Sequence, residues 1–159
     1  MKKANVSLLV GKVACGKTTY ARKQQEIGGN VFLSLDELLI DVFDQQPTRE
    51  QIDASYDGCE RYLKRMALEF LRNDVNVLLD WGFWFKSSRI KTRQYFTDLG
   101  YDVSMIYFDI PLHVRLQRNQ LRNSGQDSHS FKIEEKDMLL FDRLFEEPAS
   151  DEEYSIVGE

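Results

Sequence analysis

The sequence has no long apolar run. Its β-rich stretches, such as NVSLLV at residues 5 to 10, span a few residues where a membrane crossing needs roughly 20. Cysteine is scarce. Cys15 and Cys59 are too few for a disulfide framework and lack metal-ligand spacing, which leads us to expect reduced thiols in a cytoplasm. Two lysines precede VSLLV as in a signal peptide, but that stretch is too short and no small-residue cleavage site follows. Excess positive charge is also missing: the net charge of −5 argues against nucleic acid as a partner.

What remains is a chain of 159 residues with 42% apolar composition, enough for one well-cored domain over residues 1 to 159. Its charge is unevenly spread. Residues 1 to 23 carry Lys2, Lys3, Lys12, Lys17, Arg22 and Lys23 with no acid, whereas residues 134 to 159 carry ten acids against Lys136 and Arg143. A second basic zone holds Lys86, Arg89, Lys91, Arg93, Arg115, Arg118 and Arg122. Lys2, Lys3, Lys91 and Arg93 read as solvated surface.

Strand-like runs at 5 to 10, 31 to 34, 75 to 80, 103 to 109 and, weakly, 154 to 157 alternate with helical patterns. Thr48 and Gln51 form a capping box ahead of Ile52, Tyr56, Cys59, Leu63, Met66 and Phe70, which recur at steps of three and four. Further helices are expected at about 17 to 26, 35 to 42, 87 to 98, 112 to 122 and 134 to 145. Alternation of this kind, with strands that read as apolar runs, predicts an α/β fold with a parallel sheet covered on both faces. The polar segment NSGQDSHS, 123 to 130, is the expected mobile loop.

GKVACGKTT, residues 11 to 19, follows the first strand and opens a helix. Gly11, Gly16, Lys17 and Thr18 satisfy GxxxxGK[ST] in the context that motif requires. Backbone N–H groups through Lys12, Val13, Ala14, Cys15 and on to Thr19 would wrap the phosphates of a nucleotide. Lys17 would reach the β- and γ-phosphates, Thr18 would offer a hydroxyl to Mg²⁺, and the helix N-terminus would add attraction. Cys15 occupies a free position of the motif and reads as a small residue that fits. VNVLLD then ends in Asp80, which would emerge at the carboxyl edge of the sheet beside the loop, as a Walker-B carboxylate does. Trp81, Phe83, Trp84 and Phe85 read mainly as core, with one or two left to line a pocket.

Asp36 has two readings. Ser34 and Glu37 make a capping box that would leave Asp36 as an ordinary acid of the first helical turn. Alternatively it faces the γ-phosphate and accepts the proton of an attacking hydroxyl. Arg115, Arg118 and Arg122 fall on one helical stripe, where like charges call for an anion. Arg122 reads as the solvated member and Arg118 as the functional one.

GKVACGKTT, LSLDELL, LLDWGFW followed by Arg89, RLQRN and FEEPASDE together resemble small P-loop ATP-binding proteins known as predicted kinases. These are relatives of polynucleotide kinase, chloramphenicol phosphotransferase and the zeta toxins. The resemblance implies a P-loop NTPase fold of five parallel strands in order 2-3-1-4-5, with ATP and Mg²⁺ at the carboxyl edge beneath a small lid. It also implies Asp36 as base and Arg118 as a lid arginine on the phosphates, with Arg115 and Arg89 matching further arginines of the pattern. A GTPase fits poorly, since no NKxD-type motif occurs. The expected function is transfer of the ATP γ-phosphate to a hydroxyl of a small molecule, by a monomer or weak homodimer. The alternatives are an ATPase module that switches a partner and a zeta-toxin-like nucleotide-sugar kinase.

Overall fold

The computed structural model describes residues 3–44, 46–125 and 130–158. The elements run β1 (Asn5–Gly11), α1 (Lys17–Ile27), β2 (Asn30–Ser34), α2 (Leu35–Phe43), α3 (Arg49–Arg72) and β3 (Asn76–Asp80). They continue with α4 (Lys86–Asp98), β4 (Asp102–Phe108), α5 (Leu112–Ser124), α6 (Glu135–Leu144) and β5 (Ser155–Val157). Each expected element is present with ends displaced by a few residues at most. The strands form one parallel sheet in the order β2-β3-β1-β4-β5, which is the P-loop NTPase arrangement.

Side-chain alternation along the strands divides the core into two layers. On one face Val6, Leu8, Val10, Val77, Leu79, Met105 and Tyr107 pack against Leu35 and Leu39 of α2, Leu63, Ala67 and Leu71 of α3, and Phe96 of α4. On the other, Leu9, Leu78, Ile106 and Phe108 pack against Ala21 of α1 and Val114 of α5. The central strand β1 is therefore buried along nearly all of its length, as a mainly apolar strand between two helical layers should be. The long helix α3 starts with the capping box read from the sequence: Gln51 N donates to Thr48 Oγ1, and Thr48 N donates to Gln51 Oε1.

Two expectations change. α5 continues through Asn123 and Ser124, so the start of the segment expected as a loop is helical; residues 126–129 of that segment lie outside the described residues. Arg93 and Lys3 are not simply solvated. Arg93 donates to the carbonyls of Val103 and Glu153, and Lys3 donates to Gly100 O while lying over the Tyr101 ring. Among the described residues no helix is long and apolar enough to cross a membrane.

Candidate active site

Parallel β1, β3 and β2 all end at the same edge of the sheet, and the segment after each strand contributes to one cleft. The loop after β1 turns through Ala14 (φ 61°) and Gly16 (φ 95°), both left-handed, before α1 begins at Lys17. Gly11 has a different reason to lack a side chain. A Cβ there would stand 2.5 Å from Cys15 Sγ and 3.1 Å from Phe108 Cβ. Cys15 is 2% exposed and belongs to the layer under α1, so it fills the space that Gly11 leaves. Gly16 caps α1 without a side-chain bond, and no acid occupies the first turn. The free N–H groups and the positive end of the helix dipole therefore remain available to an anion.

Lys17 is folded back on this loop. Its Nζ donates to Gly11 O at 3.0 Å and lies 4.0 Å from Asp80 Oδ1. Burial works to lower its pKa, but the Cys15 sulfur and the carboxylates of Asp80 and Asp36 outweigh it and hold the ammonium above its ordinary value. Asp80 ends β3 as expected. Burial raises its pKa, while Lys17 and the Gly82 N–H pull the other way. Thr18 is exposed at the helix start.

Asp36 sits in the first turn of α2, whose cap is Ser34 Oγ accepting from Glu37 N at 3.3 Å. Asp36 is exposed, and the protein around its carboxyl still strips away part of its solvent. That desolvation, followed by repulsion from Asp80, pushes its pKa up to about 7, against the opposing pull of Lys17 and Arg122. A helix N-terminus favours the charged carboxylate, so a plain helix-start acid would be shifted the other way.

The arginine stripe divides by role in a way that spacing does not show. Arg118 is exposed, makes no hydrogen bond or ion pair among the described residues, and has Nη1 3.4 Å from where a Cβ on Gly16 would lie. It overhangs the phosphate loop. Arg122 was expected to be solvated; instead it is half-buried, donates to Asn119 Oδ1, and its charge acts on both Asp36 and Lys17. Arg115, expected as a nucleotide contact, is 2% exposed and holds Asp142 bidentately at 2.9 and 2.5 Å. It also donates to Ile110 O and, at 3.4 Å, to Val13 O. With its planar fork committed in this way, Arg115 braces the loop from behind and ties it to α6.

Arg89 is a second brace. It is 2% exposed, pairs bidentately with Glu152, and donates to the carbonyls of Phe83 and Glu146. Its partner Phe83 is buried with φ 46°, directly after Gly82 at φ 93°. A bulky residue there is strained and persists only when its surroundings fix it. Trp81 and Phe83 are core, Trp84 packs on Phe141, and Phe85 is exposed. Lys12 turns away from the loop to pair with Glu147 at 3.0 Å.

The donor set suits a hard cation. Thr18 and Asp80 offer oxygens, and among the described residues no group of three or more His, Cys, Asp or Glu could hold a metal by itself. Mg²⁺ fits such a site, since it is bound through one or two side chains together with substrate phosphates and water.

No curated protein matches the chain. Among solved structures, it is similar to the Mycobacterium tuberculosis APS kinase in complex with AMPPNP and APS, at 17% identity over 99% of this chain and 90% of that one, TM-score 0.66. It is also similar to a Janibacter sp. sugar kinase, at 15% identity over 98% and 85% of the two chains, TM-score 0.64. A third likeness is to the Pnkp1/Rnl/Hen1 RNA repair complex, at 19% identity and TM-score 0.67, where 88% of this chain spans 43% of that one. At these identities the likeness is one of fold, a P-loop kinase-like fold. The family model described as an AAA domain matches residues 6 to 148, and the chain belongs to that family.

Proposed function

We propose that the protein is an ATP-dependent phosphotransferase that moves the γ-phosphate to a hydroxyl of a small molecule. The observation that carries this reading is the gathering of Lys17, Asp80 and Asp36 at one edge of the sheet: Lys17 lies 4.0 Å from Asp80, and Asp36 stands two residues beyond Ser34, which pairs in register with Asp80. A module that only binds nucleotide has no need of a proton acceptor there. The loop N–H groups and Lys17 would hold the β- and γ-phosphates, and Thr18 and Asp80 would hold Mg²⁺. The metal, when bound, supplies charge neutralisation on the transferring group. Asp36 takes the proton of the acceptor hydroxyl, the freed oxygen bonds to the γ-phosphorus, and the bond to the bridging β-γ oxygen breaks to release ADP. In this reading Lys17 and Arg118 would meet the charge that develops on the equatorial oxygens.

The test is a metabolite library scored for stimulated ADP release. A small hydroxyl compound that stimulates the wild type but not Asp36→Asn supports the reading. Stimulation by a protein partner alone would replace it with a nucleotide switch.

A further inference from the structure

Tyr56 takes no part in the chemistry described so far, yet it is bonded to the segment that carries Asp80. It lies on α3, half-buried at the edge of the larger core layer, and its Oη donates to Trp81 O at 2.8 Å. Trp81 O and Gly82 N–H are the two ends of one peptide unit. The N–H end works to lower the pKa of the Asp80 carboxyl, two residues back along the chain. A single peptide plane is therefore held at its carbonyl by Tyr56 and acts on Asp80 through its N–H. The residue that follows, Gly82, has φ 93°, and glycine imposes little barrier against alternative backbone conformations. Rotation of that plane would turn a carbonyl oxygen toward Asp80 where an N–H now stands. The carboxylate would then face repulsion and lose its orientation.

We propose that Tyr56 is a positioning residue for Asp80: by fixing the Trp81–Gly82 peptide plane, its hydroxyl holds the metal-binding oxygens in place. The inference rests on the reading of Asp80 as a Mg²⁺ carboxylate. Groups that orient a metal-binding carboxylate from outside the ligand set typically account for 10- to 100-fold in metal affinity.

The experiment compares wild type with Tyr56→Phe, which keeps the ring and removes only the hydroxyl. Calorimetry measures the affinity for AMPPNP in EDTA and across a Mg²⁺ series, with circular dichroism to verify folding. The expected result is unchanged affinity in EDTA and a Mg²⁺ requirement raised by about tenfold in Tyr56→Phe. In an Asp80→Ala background, Tyr56→Phe should have no further effect on the Mg²⁺ response. A wild type that responds to Mg²⁺ and a folded Tyr56→Phe that responds equally would overturn the proposal alone. So would a Tyr56→Phe penalty that persists in full without Asp80. A wild type indifferent to Mg²⁺ would overturn the metal reading of the site and this proposal with it.

Discussion

Asp36 carries two readings in one short stretch, and what bears on them is its environment. LSLDELL specifies a capped helix start, and half of the expected box forms: Ser34 Oγ accepts from Glu37 N, while the Glu37 carboxylate pairs with Arg22. The charge environment comes from residues distant in sequence, and it turns the raised carboxyl into a stability cost. The folded chain binds the Asp36 proton more tightly than the unfolded chain, whose value is near 3.8. Between about pH 4 and 7, this group therefore makes the fold less stable as pH rises. Asp36→Asn should raise Tm at pH 8, give no gain at pH 4, and still lose transfer activity by the roughly 10²-fold expected of a lost base. Thermal scans at the two pH values check the first part; a variant whose Tm matches the wild type's at both would show that the carboxyl is not crowded. Arg118 supplies a second test. Arg118→Lys keeps the charge but removes the planar fork, so kcat should fall far more than affinity for AMPPNP does. Equal losses in both would make Arg118 a nucleotide anchor. Helical spacing placed the three arginines on one stripe, but a stripe says nothing of what lies opposite. Arg115 met Asp142, twenty-seven residues away, and neither residue announces the other in the sequence.

The strands and helices themselves were legible because each carries its own punctuation. The phosphate loop, the Thr48 capping box and the apolar runs of β1 and β3 are local signals that tertiary packing then agreed with. The weakest signal, YSIV, became a strand because β4 offered an edge: Tyr107 pairs with Ile156 in register. The C-terminal segment FEEPASDE could not be read this way, since it acts through partners elsewhere in the chain. Glu146 accepts from Lys86 N and so caps α4, Asp151 pairs with Lys86, and Glu152 pairs with Arg89. Together they fasten the strained turn after Asp80. Glu152→Ala would leave the Arg89 charge buried without its carboxylate, a change that costs about 3–5 kcal/mol in comparable pairs. Urea denaturation should report a loss of that order at pH 7. Arg89 holds the Glu152 pKa below its ordinary value, so the difference between variant and wild type should shrink as acid protonates Glu152. A loss under about 1 kcal/mol, the range of exposed pairs, would show that the strap is not needed to hold the turn.

At the scale of the whole molecule, the uneven charge along the sequence resolves into internal matching. The basic first 23 residues and the basic central zone face the acidic segment 134 to 159 through Lys12–Glu147, Lys86–Asp151, Arg89–Glu152 and Arg115–Asp142. These cations are committed to the fold, and the chain retains its net charge of −5. A protein that holds a nucleic-acid strand must neutralise several backbone phosphates, and its affinity then falls steeply with salt. Here Arg118 overhangs the phosphate loop without an ion pair among the described residues, a placement that suits the phosphates of one nucleotide in the function proposed above. The fold is shared with a component of an RNA repair complex, so fold does not decide the acceptor, and the small-molecule acceptor proposed above rests on the placement of charge. A single-stranded 5′-hydroxyl oligonucleotide should therefore bind weakly at physiological ionic strength, with a shallow dependence on salt, and should not be phosphorylated. A fluorescence-anisotropy titration over a salt series, paired with a labelled transfer assay, measures both. Submicromolar binding that weakens steeply with salt, together with label appearing on the 5′ end, would move the acceptor from a small molecule to a nucleic-acid terminus.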